Sequence, residues 1–293
     1  MAHWHVIVNE SAGRARSDIR EVTAALHEAG VEADVVAPAT PIEAREAVAA
    51  AAHAGVTHLA MVGGDGSVNL AANVLMGLDV ESPVLGFLPS GTGCDLLRTF
   101  GIPQDLLGAA RHLATETVYP IDVATLEGEW GTRHFVNVAQ IGVGAAAAQT
   151  APRMSKRLGS YRYPLAFAAR LPRFPRARVS VTTERRTFES EALAVIMANA
   201  QFFAGGWNIA PKATLVDGVL DMQVINCNKR RAPALVPKII WGTHLTDRAV
   251  RRFSASSFKI ETDVPWPVEA DGDYLGNTPV SGRVIPAALR LKI

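Results

Sequence analysis

The chain has 293 residues, 48% of them hydrophobic and 19% charged, with a net charge of +1. This content excludes a disordered chain, and the length suits two domains better than one. A near-neutral balance offers nucleic acid no global field, so no nucleic-acid partner is expected and any charge argument must be local.

Two cysteines, Cys94 and Cys227, form no paired motif and point to a reducing compartment. The opening MAHWHVIVNESAG lacks signal-peptide form, and no run of about 18 apolar residues could span a bilayer. The expectation is a cytoplasmic protein, at most peripheral to the inner face of a membrane.

Trp4 to Val8 reads as a strand. It closes on Asn9-Glu10-Ser11-Ala12-Gly13. Ile19, Val22, Leu26 and Ala29 then recur at helical spacing up to Gly30. Val31 to Val36, an Ala-rich helix from Pro41 to Gly55 and a strand from Thr57 to Val62 continue the alternation. The strand runs through Gly63-Gly64-Asp65-Gly66-Ser67 directly into a helix. Three glycines in four positions permit positive φ and close approach to a ligand. The helix N-terminus that follows suits phosphate, and the Asp65 carboxylate stands where it could handle an accompanying Mg²⁺. A second such turn, Gly91-Thr92-Gly93-Cys94-Asp95, follows the apolar run Val84 to Leu88. Cys94 is read as a small residue filling that turn, with a reactive thiol as the alternative.

This βαβα alternation predicts a mostly parallel sheet that binds ligands beyond the carboxyl ends of its strands. All three turns fall there, which predicts a nucleotide pocket and a nucleotide-dependent phosphotransferase. No lysine precedes Lys156, so the site is not a Walker P-loop. Backbone amides, Ser67, Thr92 and Arg14 or Arg16 would hold the phosphates instead.

Beyond Val118 strand-like runs dominate: Phe135 to Val143, Ala177 to Thr183, Ala192 to Ala198, Leu220 to Ile225 and Phe258 to Thr262. They predict a second, largely antiparallel domain over 124–283, after a first over 1–123. A last strand, Val284 to Ile293, could return to either. Gly142-Val143-Gly144 has dinucleotide-fingerprint spacing, but no acidic residue follows before Glu184. The acid-free stretch from 130 to 183 carries Arg153, Lys156, Arg157, Arg162, Arg170, Arg173, Arg176 and Arg178 among Tyr161, Tyr163, Phe167 and Phe174. It reads either as a surface for anionic lipid headgroups or nucleic acid, or as a solvated basic face. Glu269-Ala270-Asp271-Gly272-Asp273 offers carboxylates along one face of an extended segment, one of them a candidate base, or a plain Asp-Gly hairpin turn. Asp217-Gly218-Val219-Leu220-Asp221 is a turn or a small oxygen-ligand metal site, with the turn favoured.

Taken together, these motifs resemble the diacylglycerol kinase catalytic-domain family, including soluble bacterial lipid kinases and sphingosine kinases. Asn9 to Gly13 is similar to the family's N-P-x-S-G turn, Gly63 to Ser67 to its G-G-D-G-T/S loop, and Leu88 to Asp95 to L-P-x-G-T-x-N-D. FVNVAQIGVGA (135–145), NAQFFAGGWNIAPKATLVDGVLD (199–221) and Asp271-Gly272-Asp273 resemble later family blocks.

The resemblance implies a Rossmann-like α/β domain of the phosphofructokinase and NAD kinase kind, then a β-sandwich-like domain, with the active site in the cleft between them. It implies ATP as co-substrate on Gly63, Gly64, Asp65, Gly66 and Ser67, with Asn9, Ser11, Gly13, Gly91, Thr92, Gly93 and Asp273 as further nucleotide contacts. Asp65 would lie near the catalytic Mg²⁺, and Asp271 would be the base. Asp217, with the carbonyls of Thr214 and Val219, would hold a structural Mg²⁺. A lipid hydroxyl would be the acceptor, at an anionic membrane surface; the oligomeric state is left open, a homodimer among the options.

Four positions depart from the family pattern: Glu10 replaces Pro, Leu70 and Asp273 replace Glu, and Cys94 replaces Asn. They predict altered substrate or nucleotide preference. A kinase of a soluble substrate such as NAD, and a nucleotide-binding protein that transfers nothing, are the alternatives.

Overall fold

The computed structural model of the chain describes residues 2–9, 18–90 and 94–293. It divides into two compact units, residues 1–123 with 286–293, and residues 124–285.

In the first unit the order is β1 (Trp4–Val8), α1 (Ile19–Glu28), β2 (Ala33–Val36), α2 (Pro41–His53), β3 (His58–Gly63), α3 (Asp65–Leu75), β4 (Val84–Pro89), α4 (Asp95–Thr99) and α5 (Leu106–Leu113). Strands β2-β1-β3-β4 are parallel neighbours. The central strands β3 and β4 are buried almost throughout, as expected for a parallel sheet covered on both faces. Helix starts follow local chemistry. Asp18 caps α1, Asp105 caps α5, and Thr40 caps α2 by accepting the Glu43 N–H, while Glu43 reaches back to accept the Ala39 N–H, with Pro41 at the first helical position.

β5 (Val118–Gly128) leads into the second unit. There follow β6 (Gly131–Phe135), β7 (Val138–Gly142), α6 (Val143–Thr150), α7 (Arg162–Arg170), β8 (Ala177–Thr183), β9 (Thr187–Ala192) and β10 (Ala194–Ala198). A short pair, β11 (Phe202–Phe203) and β12 (Trp207–Asn208), precedes β13 (Leu220–Ile225) and α8 (Ala232–Ile240). The unit continues through β14 (Val250–Ala255), β15 (Ser257–Thr262), β16 (Pro267–Ala270) and β17 (Asp273–Asn277) into β18 (Val280–Lys292). One antiparallel sheet has the order β14-β13-β10-β7-β16-β17, and in the other β9-β8-β15 continue to the first half of β18. Both contribute to one core, with Ile141, Val195 and Met222 from the first and Val179, Val181 and Ile260 from the second. The class is thus α/β followed by a β-sandwich-like unit. β18 serves both units: Val280 to Arg283 pair with β15, whereas Arg290 and Leu291 pair in parallel with β4.

Two runs expected to be single strands are broken. Phe135–Val143 is interrupted at Val136 and Asn137, and Ala192–Ala198 at Leu193. Gly142 is a packing glycine. Its φ is +99°, and a Cβ there would lie 2.6 Å from the carbonyl oxygen of Leu193 and 3.0 Å from the Trp266 ring. Gly144 packs likewise, with Gln140 Oε1 filling the place of its Cβ.

Gly142→Ala is therefore expected to destabilise the protein by about 2–4 kcal/mol through φ strain and overpacking together, measurable as a lowered urea midpoint at unchanged m-value.

Candidate active site

The glycine junction of the first unit is tighter than positive-φ turns would make it. Gly64 is the N-cap of α3 with φ −108° and ψ −161°, and the helix starts at once with Asp65. The expected left-handed backbone is absent at Gly64, because a strand can turn into a helix through an extended N-cap without it. What glycine contributes is room: Gly66 has nothing within 4 Å of where a Cβ would stand. Its exposed first-turn position leaves the helix N-terminus approachable by an anion.

The structure ties three of the expected phosphate segments together. Asn9, at the end of β1, donates from Nδ2 to the buried Ser67 hydroxyl at 3.1 Å. Asp65 Oδ1 accepts the Asp95 backbone N–H at 2.7 Å, so the carboxylate of one junction caps the short helix after the other. Cys94 is buried beside it, its sulfur 3.6 Å from Asp65 Oδ1 and its own N–H donating to Gln104 Oε1 at 2.8 Å. Burial, reinforced by the Asp65 charge, pushes the Cys94 thiol well above its ordinary value. Cys94 is thus a small buried residue ahead of α4, in line with the favoured sequence reading. Leu70 is buried in α3 as a core residue. Ser11, Gly13, Arg14, Arg16, Gly91, Thr92 and Gly93 lie outside the described residues.

In the second unit Asp271 sits in a two-residue hairpin turn between β16 and β17, with φ +47° and Gly272 at +89°. Its carboxylate takes three consecutive backbone amides from the break between β6 and β7. Oδ2 accepts from Val136 at 2.9 Å, and Oδ1 accepts from Asn137 at 2.9 Å and Val138 at 3.0 Å. Asn199, fully buried, braces the same break from behind, donating from Nδ2 to the Val136 carbonyl and from its backbone N–H to that of Asn137.

Glu269, Asp271 and Asp273 do not share one extended face, because the turn separates them. Glu269 is buried, Asp271 is half-buried at the turn, and Asp273 is exposed and paired with Arg133 at 2.8 Å. Glu269 accepts from Gln140 Nε2 and from the Gly272 N–H, both at 2.9 Å. Burial, with the Asp271 charge adding to it, raises its carboxyl to about 8. Sequence reading gave no role to Gln140 or Asn199. Their polarity inside otherwise apolar strand runs was the available signal.

Asp217 is exposed and accepts the Val219 N–H at 3.3 Å in a turn with Gly218 at φ +71°. The turn reading is thus realised, and the oxygen donors there and at Asp65 are of the kind Mg²⁺ accepts. Among the described residues no group of three His, Cys, Asp or Glu side chains forms a ready-made metal cage. Mg²⁺ commonly needs none, because it retains waters and takes substrate phosphates as ligands.

The aromatic residues of the basic stretch mostly face inward. Phe174 is buried against Trp266 at 5.5 Å, and Tyr163 meets Phe203 and Trp207 edge-on at 5.4 and 5.8 Å. Tyr161 alone among the four is largely exposed, at 71%. Tyr163, Phe167, Trp207, Leu235 and Ile239 line an apolar cavity of about 50 Å³ that Gln140 also borders.

Residues 3–126 match the diacylglycerol kinase catalytic domain, and residues 137–293 match the YegS C-terminal NAD kinase beta sandwich-like domain. A diacylglycerol kinase of Mycobacterium tuberculosis is 30% identical over 92% of this chain and 87% of its own length. One from Bacillus subtilis is 26% identical over 95% and 92%, and a "Probable lipid kinase YegS-like" protein of Xanthomonas oryzae is 25% identical over 100% and 96%. A crystal structure from Bacillus anthracis strain Sterne superimposes with a TM-score of 0.81 at 25% identity, covering 99% of this chain and 96% of that one. By these matches the chain belongs to the diacylglycerol kinase family with the YegS-like lipid kinases, and so to the phosphotransferases.

Proposed function

We propose that the chain transfers the γ-phosphate of ATP, with Mg²⁺, to a hydroxyl of a lipid such as diacylglycerol or a sphingoid-type base. The observation that carries this reading is the Asp271 carboxylate, fixed by three backbone amides on a half-exposed turn. A general base must be held within hydrogen-bond reach of the proton that it takes. Asp271 receives the acceptor's hydroxyl proton on the carboxylate that these amides hold in place. The acceptor oxygen forms a bond to the γ-phosphorus as the bond to the β–γ bridging oxygen breaks, releasing ADP in line.

The first-turn amides of α3, with Gly63, Gly64, Gly66 and Ser67, cradle the phosphates, while Asn9 fixes the Ser67 hydroxyl. Asp65 would hold Mg²⁺, which neutralises phosphate charge when bound. Ser11, Gly13, Gly91, Thr92, Gly93 and Asp273 complete the nucleotide contacts in this reading, and Asp217 with the Thr214 and Val219 carbonyls would hold a structural Mg²⁺.

The apolar cavity beside α7 and α8 supports a lipid acceptor. Tyr161, Leu165 and Trp241 are 71%, 43% and 79% exposed, and Arg153, Arg157, Arg170 and Arg173 are exposed on the same stretch as the first two. Such a surface suits peripheral contact with anionic lipid. Among the described residues no helix is long and apolar enough to cross a membrane. A kinase of a soluble acceptor such as NAD, and a protein that binds nucleotide and transfers nothing, are the other readings.

Radiolabelled ATP with Mg²⁺, offered to micelles of each lipid and to NAD, is expected to label a lipid; label confined to a soluble product would install the soluble-acceptor reading. Asp271→Asn is expected to lower turnover by about 10²–10⁴-fold while ATP affinity stays within about twofold. Asparagine can satisfy only part of the amide cluster, so a stability loss of about 1–3 kcal/mol should accompany it in thermal unfolding. Asp65→Asn keeps an acceptor for the Asp95 N–H and should abolish transfer with little loss of stability. Asp65→Ala should lose about 1 kcal/mol as well. Binding to anionic vesicles is expected to fall steeply as salt is raised; salt-insensitive binding in a sedimentation assay would remove the electrostatic contact.

A further inference from the structure

We infer that Glu269 is a positioning residue for the transfer site: its buried carboxyl, strung between the Gln140 amide and the Gly272 N–H, sets the turn that presents Asp271. The inference rests on the reading of Asp271 as base.

The turn needs such support. Asp271 and Gly272 occupy the two central positions of a hairpin with positive φ at both, and a non-glycine residue there is under mild strain. The Asp271 carboxylate is fixed by the amides of Val136, Asn137 and Val138. The other half of the turn is fixed by Glu269 Oε2, which takes the Gly272 N–H at 2.9 Å. Glu269 lies opposite Gln140 in the β16–β7 register, and Oε1 takes the Gln140 amide at 2.9 Å.

Gln140 is itself immobilised. It is 3% exposed, and Gly144 of α6 leaves no space between them, since a Cβ there would stand 2.1 Å from Gln140 Oε1. Tyr163 of α7 closes the other side, its hydroxyl donating to the Gly144 carbonyl at 3.4 Å. The turn carrying the base is thus referenced, through one carboxyl and one amide, to the packed helices.

Among the described residues, the groups that act on Glu269 include no cation. Gln140 from β7 and Tyr163 from α7 are neutral, and Asp271 and Asp273 from its own hairpin are anions. Burial raises the carboxyl first and the two like charges add to this, so that it loses its proton only near 8. Ionisation then sets a buried anion two residues from Asp271, where the Gly272 N–H and the Gln140 amide bind it and the Asp271 charge opposes it. Because the folded chain holds this proton more tightly than the unfolded one, Glu269 makes stability fall as pH rises from 4.5 to about 8.

The test combines rate–pH profiles with a readout that needs no turnover. Lipid phosphorylation is followed from about pH 6 to about pH 10 for the wild type, Glu269→Gln and Glu269→Ala, and the Gly272 amide resonance is followed over the same range. The wild type is expected to lose activity with an alkaline limb near 8, with the Gly272 amide shifting at the same midpoint. Glu269→Gln, which keeps an oxygen for the Gly272 N–H and pairs with Gln140 once that amide exchanges its oxygen and nitrogen in place, should turn over without that limb and with a flat Gly272 resonance. Glu269→Ala should lose about ten- to hundredfold in kcat with an unchanged KM for ATP.

Retention of the limb in Glu269→Gln, or a Gly272 resonance in the wild type that ignores pH, would overturn the proposal. If Glu269→Ala fails to fold, the Gln variant decides alone. A wild type that phosphorylates no acceptor would bring down the kinase reading; the Gly272 titration would then still show whether Glu269 governs the turn, supporting the proposal if it appears near 8 and refuting it if it does not.

Discussion

One carboxylate satisfying three consecutive amides organises the second unit. Backbone N–H groups at a strand break must find acceptors, and those of Val136, Asn137 and Val138 find theirs on Asp271. That grip stops the run from Phe135 to Gly142 from being one strand and leaves β7 free to pair with β10 and β16 at its own register. It also draws in Asn199, whose backbone and side-chain donors cover the carbonyls of the same break. The residue proposed to take a proton is thus also the residue that the local backbone cannot do without.

A comparable economy of parts holds in the first unit. Asp65 is the first residue of one helix and the cap of another, so a single side chain couples the two strand-to-helix junctions of β3 and β4. Asn9 and Ser67 add the junction of β1 to the same set. Asn9, Ser67, Asp65 and Asp95 are thereby held in fixed relation at one edge of the sheet.

Much of this was legible in the sequence because it is local. The alternation of strands and helices in the first unit follows from apolar periodicity and from the stop at Gly30, and the Gly63–Ser67 junction from its composition. What escaped depends on partners distant along the chain. The break at Val136 and Asn137 is set by a carboxylate 135 residues away, and the burial of Glu269 by its pairing with Gln140 across β7. The aromatic side chains of the basic stretch were read as surface, but Tyr163 and Phe174 pack against Phe203, Trp207 and Trp266 from segments that periodicity does not join. The positive φ anticipated at the first glycine junction is found at the Asp271–Gly272 turn instead.

The path of β18 bears on how the molecule is made. Its end is the strand that covers β4, yet residues 124–285 must all be synthesised before that strand emerges. Until then the nascent first unit carries an open edge at β4, a parallel, apolar template for unwanted pairing. Completion of the N-terminal unit's sheet is therefore a late event in biogenesis, since its last strand leaves the ribosome only after residues 124–285.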